Sequence, residues 1–123
     1  MKTSRVGPPL VAALLLAACA HAPLALPPEN AGVLSTLEGT EGKHAWTMPD
    51  GRPGESTVLR LEQPVMLNGR VHRLVELKRD ERLHVGWDEY VGRQLKLQCV
   101  VGEASMWGYP HLWCNVQHVE RVR

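Results

Sequence analysis

Two runs near the C-terminal end alternate apolar and polar residues, and each carries a cysteine in its apolar phase. In Gln94–Val101 the apolar side is Leu95, Leu97, Cys99 and Val101, with Lys96 and Gln98 opposite; in Leu112–Val122 it begins Leu112, Cys114, Val116. Strict alternation marks a half-buried β-strand, not a helix. A hairpin centred near Met106 and Trp107 sets Cys99 opposite Cys114, both facing inward. Directly opposed strand residues hold their Cβ atoms about 4.5–5.5 Å apart, near bridging distance. Closing a loop of roughly 15 residues contributes about 3 kcal/mol on the chain-entropy model. The phasing therefore predicts a Cys99–Cys114 disulfide. The competing reading is a zinc site on Cys99, His111, Cys114 and His118, whose spacing matches no usual finger.

With 123 residues there is room for one small domain and no second core. Strand signals dominate it. Val33–Glu41 is a β-type run with Gly39 as a candidate bulge. Gly42–Gly54 reads as a long loop, because Asp50-Gly51 and Pro53-Gly54 are turn signals. Ser56–Glu62 alternates again, and Pro64 restarts the chain. Asn68-Gly69, between Val65-Met66-Leu67 and Arg70–Lys78, is a hairpin signal, since both turn positions need positive φ. Over Asp80–Val91 the period changes: Leu83, Trp87, Tyr90 and Val91 share one helical face, with Asp80 placed to cap and Gly92 to terminate. The expectation is an all-β domain with one short helix, in an order that looks like the OB-fold, a small five-stranded Greek-key barrel.

The N-terminal end predicts an address. Lys2 and Arg5 precede an apolar stretch, Leu10–Ala18, too short to cross a hydrocarbon core that needs roughly 20 residues as helix. Leu16-Ala17-Ala18-Cys19 resembles the bacterial lipobox, which implies cleavage before Cys19 and acylation of that residue, palmitate included. Ala20 after the cysteine implies, by the same resemblance, the outer membrane on its periplasmic side. With Cys19 lipidated, the odd count of three cysteines leaves Cys99 and Cys114 as one pair in an oxidising compartment. The expected organisation is a signal segment over 1–18, a lipidated cysteine and Pro-rich tether over 19–31, and the barrel over 32–123. Removing 1–18 leaves 12 cations against 13 carboxylates, a net of −1, which disfavours a nucleic-acid partner.

A further resemblance spans Gly32 to Val122. Gly92-Arg93-Gln94-Leu95-Lys96-Leu97 is similar to the Gly-Lys-x-Val-x-Val start of the fourth strand in small bacterial envelope domains of unknown function. Those domains open on an x-Leu-x-Gly strand (here Thr36-Leu37-Glu38-Gly39), continue with Leu-x-Leu-x-x-Pro (here Leu59–Pro64) and end on a Val-x-x-Ile-type strand (here Val119–Val122). Where relatives carry a histidine cluster, Trp107-Gly108-Tyr109-Pro110-His111 stands here, with a single histidine. A glycine usual in their fourth strand is replaced by Cys99.

No nucleophile elbow, zincin motif or phosphate loop is present, and the adjacent pairs Asp80-Glu81 and Asp88-Glu89 are poor acid–base dyads. The expectation is a non-catalytic, lipid-anchored envelope module, with no cofactor and no resident metal. OB barrels bind on a face framed by the loop after the first strand and the loop before the last. Here those loops hold His44 and Trp46, and Trp107, Tyr109 and His111. These five are the candidate ligand residues, for an envelope protein, an extended peptide or a glycan; the same Trp residues could instead fill the barrel core and its ends. Two alternatives stand beside this: an inhibitor of an envelope-attacking enzyme such as lysozyme, reaching with the 102–113 loop, and a periplasmic metal carrier using His44 and His111.

Overall fold

The structure, a computed structural model, describes residues 22–29, 31–78 and 87–123. The expected signal segment, Cys19 and residues 80–86 of the expected helix lie outside the described residues. Six strands follow in order: β1 (Leu24–Ala25), β2 (Ser35–Thr47), β3 (Pro53–Leu67), β4 (Arg70–Lys78), β5 (Gln94–Ala104) and β6 (His111–Val122). Of the expected helix, the described part is a single 3-10 turn, Trp87–Tyr90.

The sheet runs β3-β2-β5-β6-β4 and closes on itself through β3–β4, so five strands form a barrel. All barrel pairs are antiparallel except β4–β6. That is the strand order of an OB-like barrel, as the sequence predicts. The Asn68-Gly69 turn joins β3 to β4, with φ of 52° and 78° at its two residues. The core is aliphatic: Leu37, Leu59, Val75, Leu95, Leu97, Leu112 and Val116 pack around the sulfurs of Cys99 and Cys114.

The cysteines are joined, Cα to Cα 5.3 Å, but not as directly opposed residues. Cys99 pairs with Val116 and Val101 with Cys114, so the bridge spans a diagonal of the ladder. The chain reverses between Trp107 and Gly108, one residue later than expected, where Gly108 takes a positive φ and Trp107 is buried in the loop. With both sulfurs in the bridge, the alternative zinc set lacks two of its ligands, and His118 is exposed.

Four other expectations change. Gly42–Gly54 is not a long loop: β2 runs to Thr47 and β3 starts at Pro53, leaving a five-residue turn closed by Met48 and Arg52. Gly54 is tolerated in the strand because an aromatic ring covers it: Trp46 lies on this cross-strand partner, where a Cβ would stand 2.6 Å from the indole. Pro64 does not restart the chain. It sits within β3, where the β3–β4 register shifts between Arg60 and Val65, a bulge that needs no N–H from it. Gly39 is no bulge: it pairs in register with Leu61 and with Leu95, and an added Cβ would collide with the Arg60 carbonyl. Part of the expected tether is also in the sheet. Leu24–Ala25 run parallel to Val65–Met66, fixed by Leu26 N–H on the Met66 carbonyl (2.9 Å) and by the Gln63 amide on the Ala22 carbonyl (3.0 Å).

Candidate functional site

Beyond the barrel core, the far halves of β2 and β3 continue as a two-stranded arm. The β5–β6 loop, Ser105–Pro110, folds over it through a turn closed by Gly108 N–H on the Ser105 carbonyl (3.1 Å), with φ of 91° at Gly108. The side chains between them occupy strand positions that alternate with the core. Ser56 and Val58 are out of phase with Leu59, Glu76 lies between the core residues Val75 and Leu77, and His111 precedes Leu112. A second, smaller cluster therefore forms on the outer surface of the barrel.

Trp107 is its centre. It is only 5% exposed, stacked on His111 (centroids 3.8 Å, planes 11° apart), tilted on His44 (4.4 Å) and edge-on to Tyr109 (6.0 Å). Its indole N–H reaches Ser56 Oγ at 3.3 Å, and that of Trp46 reaches the same oxygen at 2.9 Å. The Ser56 hydroxyl in turn donates to Glu76 Oε2 (3.1 Å). Glu76 Oε1 stands 3.5 Å from His111 Nε2 without a hydrogen bond, and neither His111 ring nitrogen has a hydrogen-bond partner among the described residues. A hydrogen bond of 3.1 Å joins His44 Nε2 to the Tyr109 hydroxyl.

So the five expected residues do converge, although His44 and Trp46 come from a strand and not from a loop. They divide by exposure. Trp107 and His111 are buried, His44 and Trp46 half-buried, and Tyr109 is 49% exposed. None of the three Trp residues whose side chains are described belongs to the barrel core; Trp113 covers its cross-strand partner Gly102 and carries Lys78 Nζ 4.8 Å above its ring.

Next to Tyr109 lies an open groove of about 540 Å³, between the start of β4 and the β5–β6 loop. It is lined on the β4 side by Val71, His72, Arg73 and Leu74, and on the side of the loop and the start of β6 by Trp107, Tyr109, Pro110 and His111. His72 is held from behind by Glu103 Oε2 (2.8 Å), whose other oxygen accepts from Asn68 (3.0 Å) and Arg70 (3.3 Å). Burial pushes the Glu103 carboxyl up, but the hydrogen bonds from Asn68 and His72 and the charge of Arg70 outweigh it, holding the group below its ordinary range.

One further carboxyl stands apart. Glu41 continues the inward phase of Leu37 and Gly39, is buried, and has no hydrogen-bond partner on either oxygen among the described residues. Burial pushes it up to about 7, against Lys43, which lowers it, and with Asp88, which raises it. Lys43 is engaged elsewhere, donating to Asp88 (2.7 Å) and Thr57 (3.0 Å).

Sequence reasoning missed Ser56, Glu76 and the His72–Glu103 pair. Each belongs to an alternating strand where its polarity looks ordinary, and only the fold brings it to a partner. Glu41 was the detectable one, since its phase with Leu37 and Gly39 points it inward. Among the described residues, no three His, Cys, Asp or Glu side chains are placed to hold a metal ion. No family model, curated protein or solved structure matches this chain.

Proposed function

We propose that this chain is a non-catalytic binding module of the bacterial cell envelope, anchored by lipid on Cys19 and taking its ligand in the groove between β4 and the β5–β6 loop. The observation that carries the reading is the groove itself. It lies against the start of β4, on the barrel side where OB folds take ligands, and pairs an exposed aromatic, Tyr109, with an exposed apolar residue, Val71. The Leu16-Ala17-Ala18-Cys19 sequence supports the anchor. A hydrolytic role is disfavoured by geometry: the Ser56 hydroxyl is committed to Glu76 and to two indole donors, while His111 faces Glu76 and His44 is hydrogen-bonded to the Tyr109 hydroxyl.

The test is photo-crosslinking in cells. A photoreactive aromatic in place of Tyr109 should yield a discrete adduct in the membrane fraction. The same group at Gln94, at the opposite end of β5, should yield none. Cys19→Ala should stop palmitate incorporation and release the protein from that fraction. Equal adducts at both positions, or none at Tyr109, would overturn the groove assignment, and unchanged fractionation of Cys19→Ala would overturn the anchor.

A further inference from the structure

β4 is paired along one edge with β3, over Arg70–His72 and again over Leu74–Glu76 with a register shift at Arg73 between them, yet along the other with β6 only from Val75 to Lys78. Over Arg70–Leu74 no strand lies against that second edge among the described residues, and the groove opens beside it. Such an edge presents unpaired backbone N–H and C=O groups, a ready template for another strand. The side chains beside it suit a strand as well. Val71 is 50% exposed, and Tyr109 stands across the groove to cover an apolar residue placed over it. Charge selects further. Among the described residues, Arg73 lines the groove without an ion-pair partner, whereas Arg70 is taken by Glu103, and no acidic side chain lines the groove.

We propose that this edge binds an extended peptide carrying a carboxylate side chain, added as a strand beside Arg70–Leu74, with the carboxylate on Arg73 and an apolar neighbour between Val71 and Tyr109. The inference rests on the groove being the binding site and narrows its occupant. Main-chain pairing supplies the affinity in this mode and the side-chain positions the selection. A glycan has no backbone donors and acceptors at the strand repeat of about 3.4 Å per residue, so it cannot use the edge.

The experiment is selection of phage-displayed random heptapeptides on the detergent-solubilised full chain, followed by titration and amide exchange with the enriched peptides. Enriched sequences should contain Asp or Glu, and the bound peptide should slow exchange of amides within Arg70–Leu74. Arg73→Gln, an exposed substitution, should weaken binding by roughly tenfold or more, as loss of a charge-assisted hydrogen bond does. Replacing the peptide's acidic residue by its amide should weaken binding to the same extent, and the two changes together should cost no more than either alone. Neutral or basic consensus sequences, binding indifferent to Arg73→Gln, unprotected β4 amides, or no enrichment at all would each overturn the proposal. If no peptide is enriched but the photoreactive group at Tyr109 captures a glycan, the peptide proposal alone fails; if both experiments are blank, the groove reading fails with it.

Discussion

The indole of Trp107 lies flat on the imidazole of His111, 3.8 Å between centroids and 11° between planes, and both rings are buried. The contact makes Trp107 a packing residue of the outer cluster and leaves Tyr109 as the aromatic that solvent meets. The two neighbours should therefore respond in opposite ways to truncation. Trp107→Ala removes a buried ring and an indole donor to Ser56, and should cost about 3–5 kcal/mol, as buried Trp truncations do. Tyr109→Ala removes an exposed ring and one hydrogen bond to His44, and should cost about 1 kcal/mol. Urea unfolding of the full chain measures both. Equal small losses would mean that the outer cluster adds little to the fold.

The diagonal bridge between Cys99 and Cys114 gives the second expectation. Both cysteines are fully buried, and the link joins residues 15 positions apart. A loop of that length constrains the unfolded chain by about 3 kcal/mol. The double variant Cys99→Ala, Cys114→Ala should lose at least about that much, since truncation also leaves small voids. Intact mass before and after reduction and alkylation establishes the bond independently. Two thiols that alkylate in denaturant without reductant would exclude it.

How far the sequence carried depended on whether a signal was local. The Asn68-Gly69 turn and the alternation over Gln94–Val101 are local, and both were legible to the residue. The β5–β6 register was legible only to within one residue at its centre, because where a loop reverses depends on packing over it, here by Trp107. Gly42–Gly54 misled because Gly and Pro normally punctuate strands. Here Trp46 on Gly54 supplies the covering that a glycine cannot, so the strand continues. For the site, convergence of His44 with Trp107 and Tyr109 followed from the barrel order alone. The hydroxyl of Ser56, shared among Trp46, Trp107 and Glu76, did not, since an alternating strand hides which polar residue will find company outside the core.

Stability should depend on pH through two glutamates that titrate in opposite directions. Glu41 has an ordinary value of 4.5 and is pushed by burial up to about 7 in the folded chain. Between those values the native state holds a proton that the unfolded state has released. Its contribution is thus fully present below 4.5, falls as pH rises toward 7 and is absent above, a span worth about 3 kcal/mol at 1.36 kcal/mol per unit. Glu103 behaves conversely, because its partners Asn68, His72 and Arg70 favour the charged form. It stabilises above its ordinary value of 4.5 and loses that contribution as pH falls through its lowered folded value. Glu41→Gln should therefore match the parent near pH 4 and exceed it by up to about 3 kcal/mol at pH 8, its profile flat where the parent's declines. Glu103→Gln should be weaker than the parent at pH 7, with the gap closing in acid. Urea midpoints of the three proteins between pH 3 and 8 decide the matter: a Glu41→Gln curve that runs parallel to the parent's throughout would mean that Glu41 ionises in the folded state as it does in the unfolded chain.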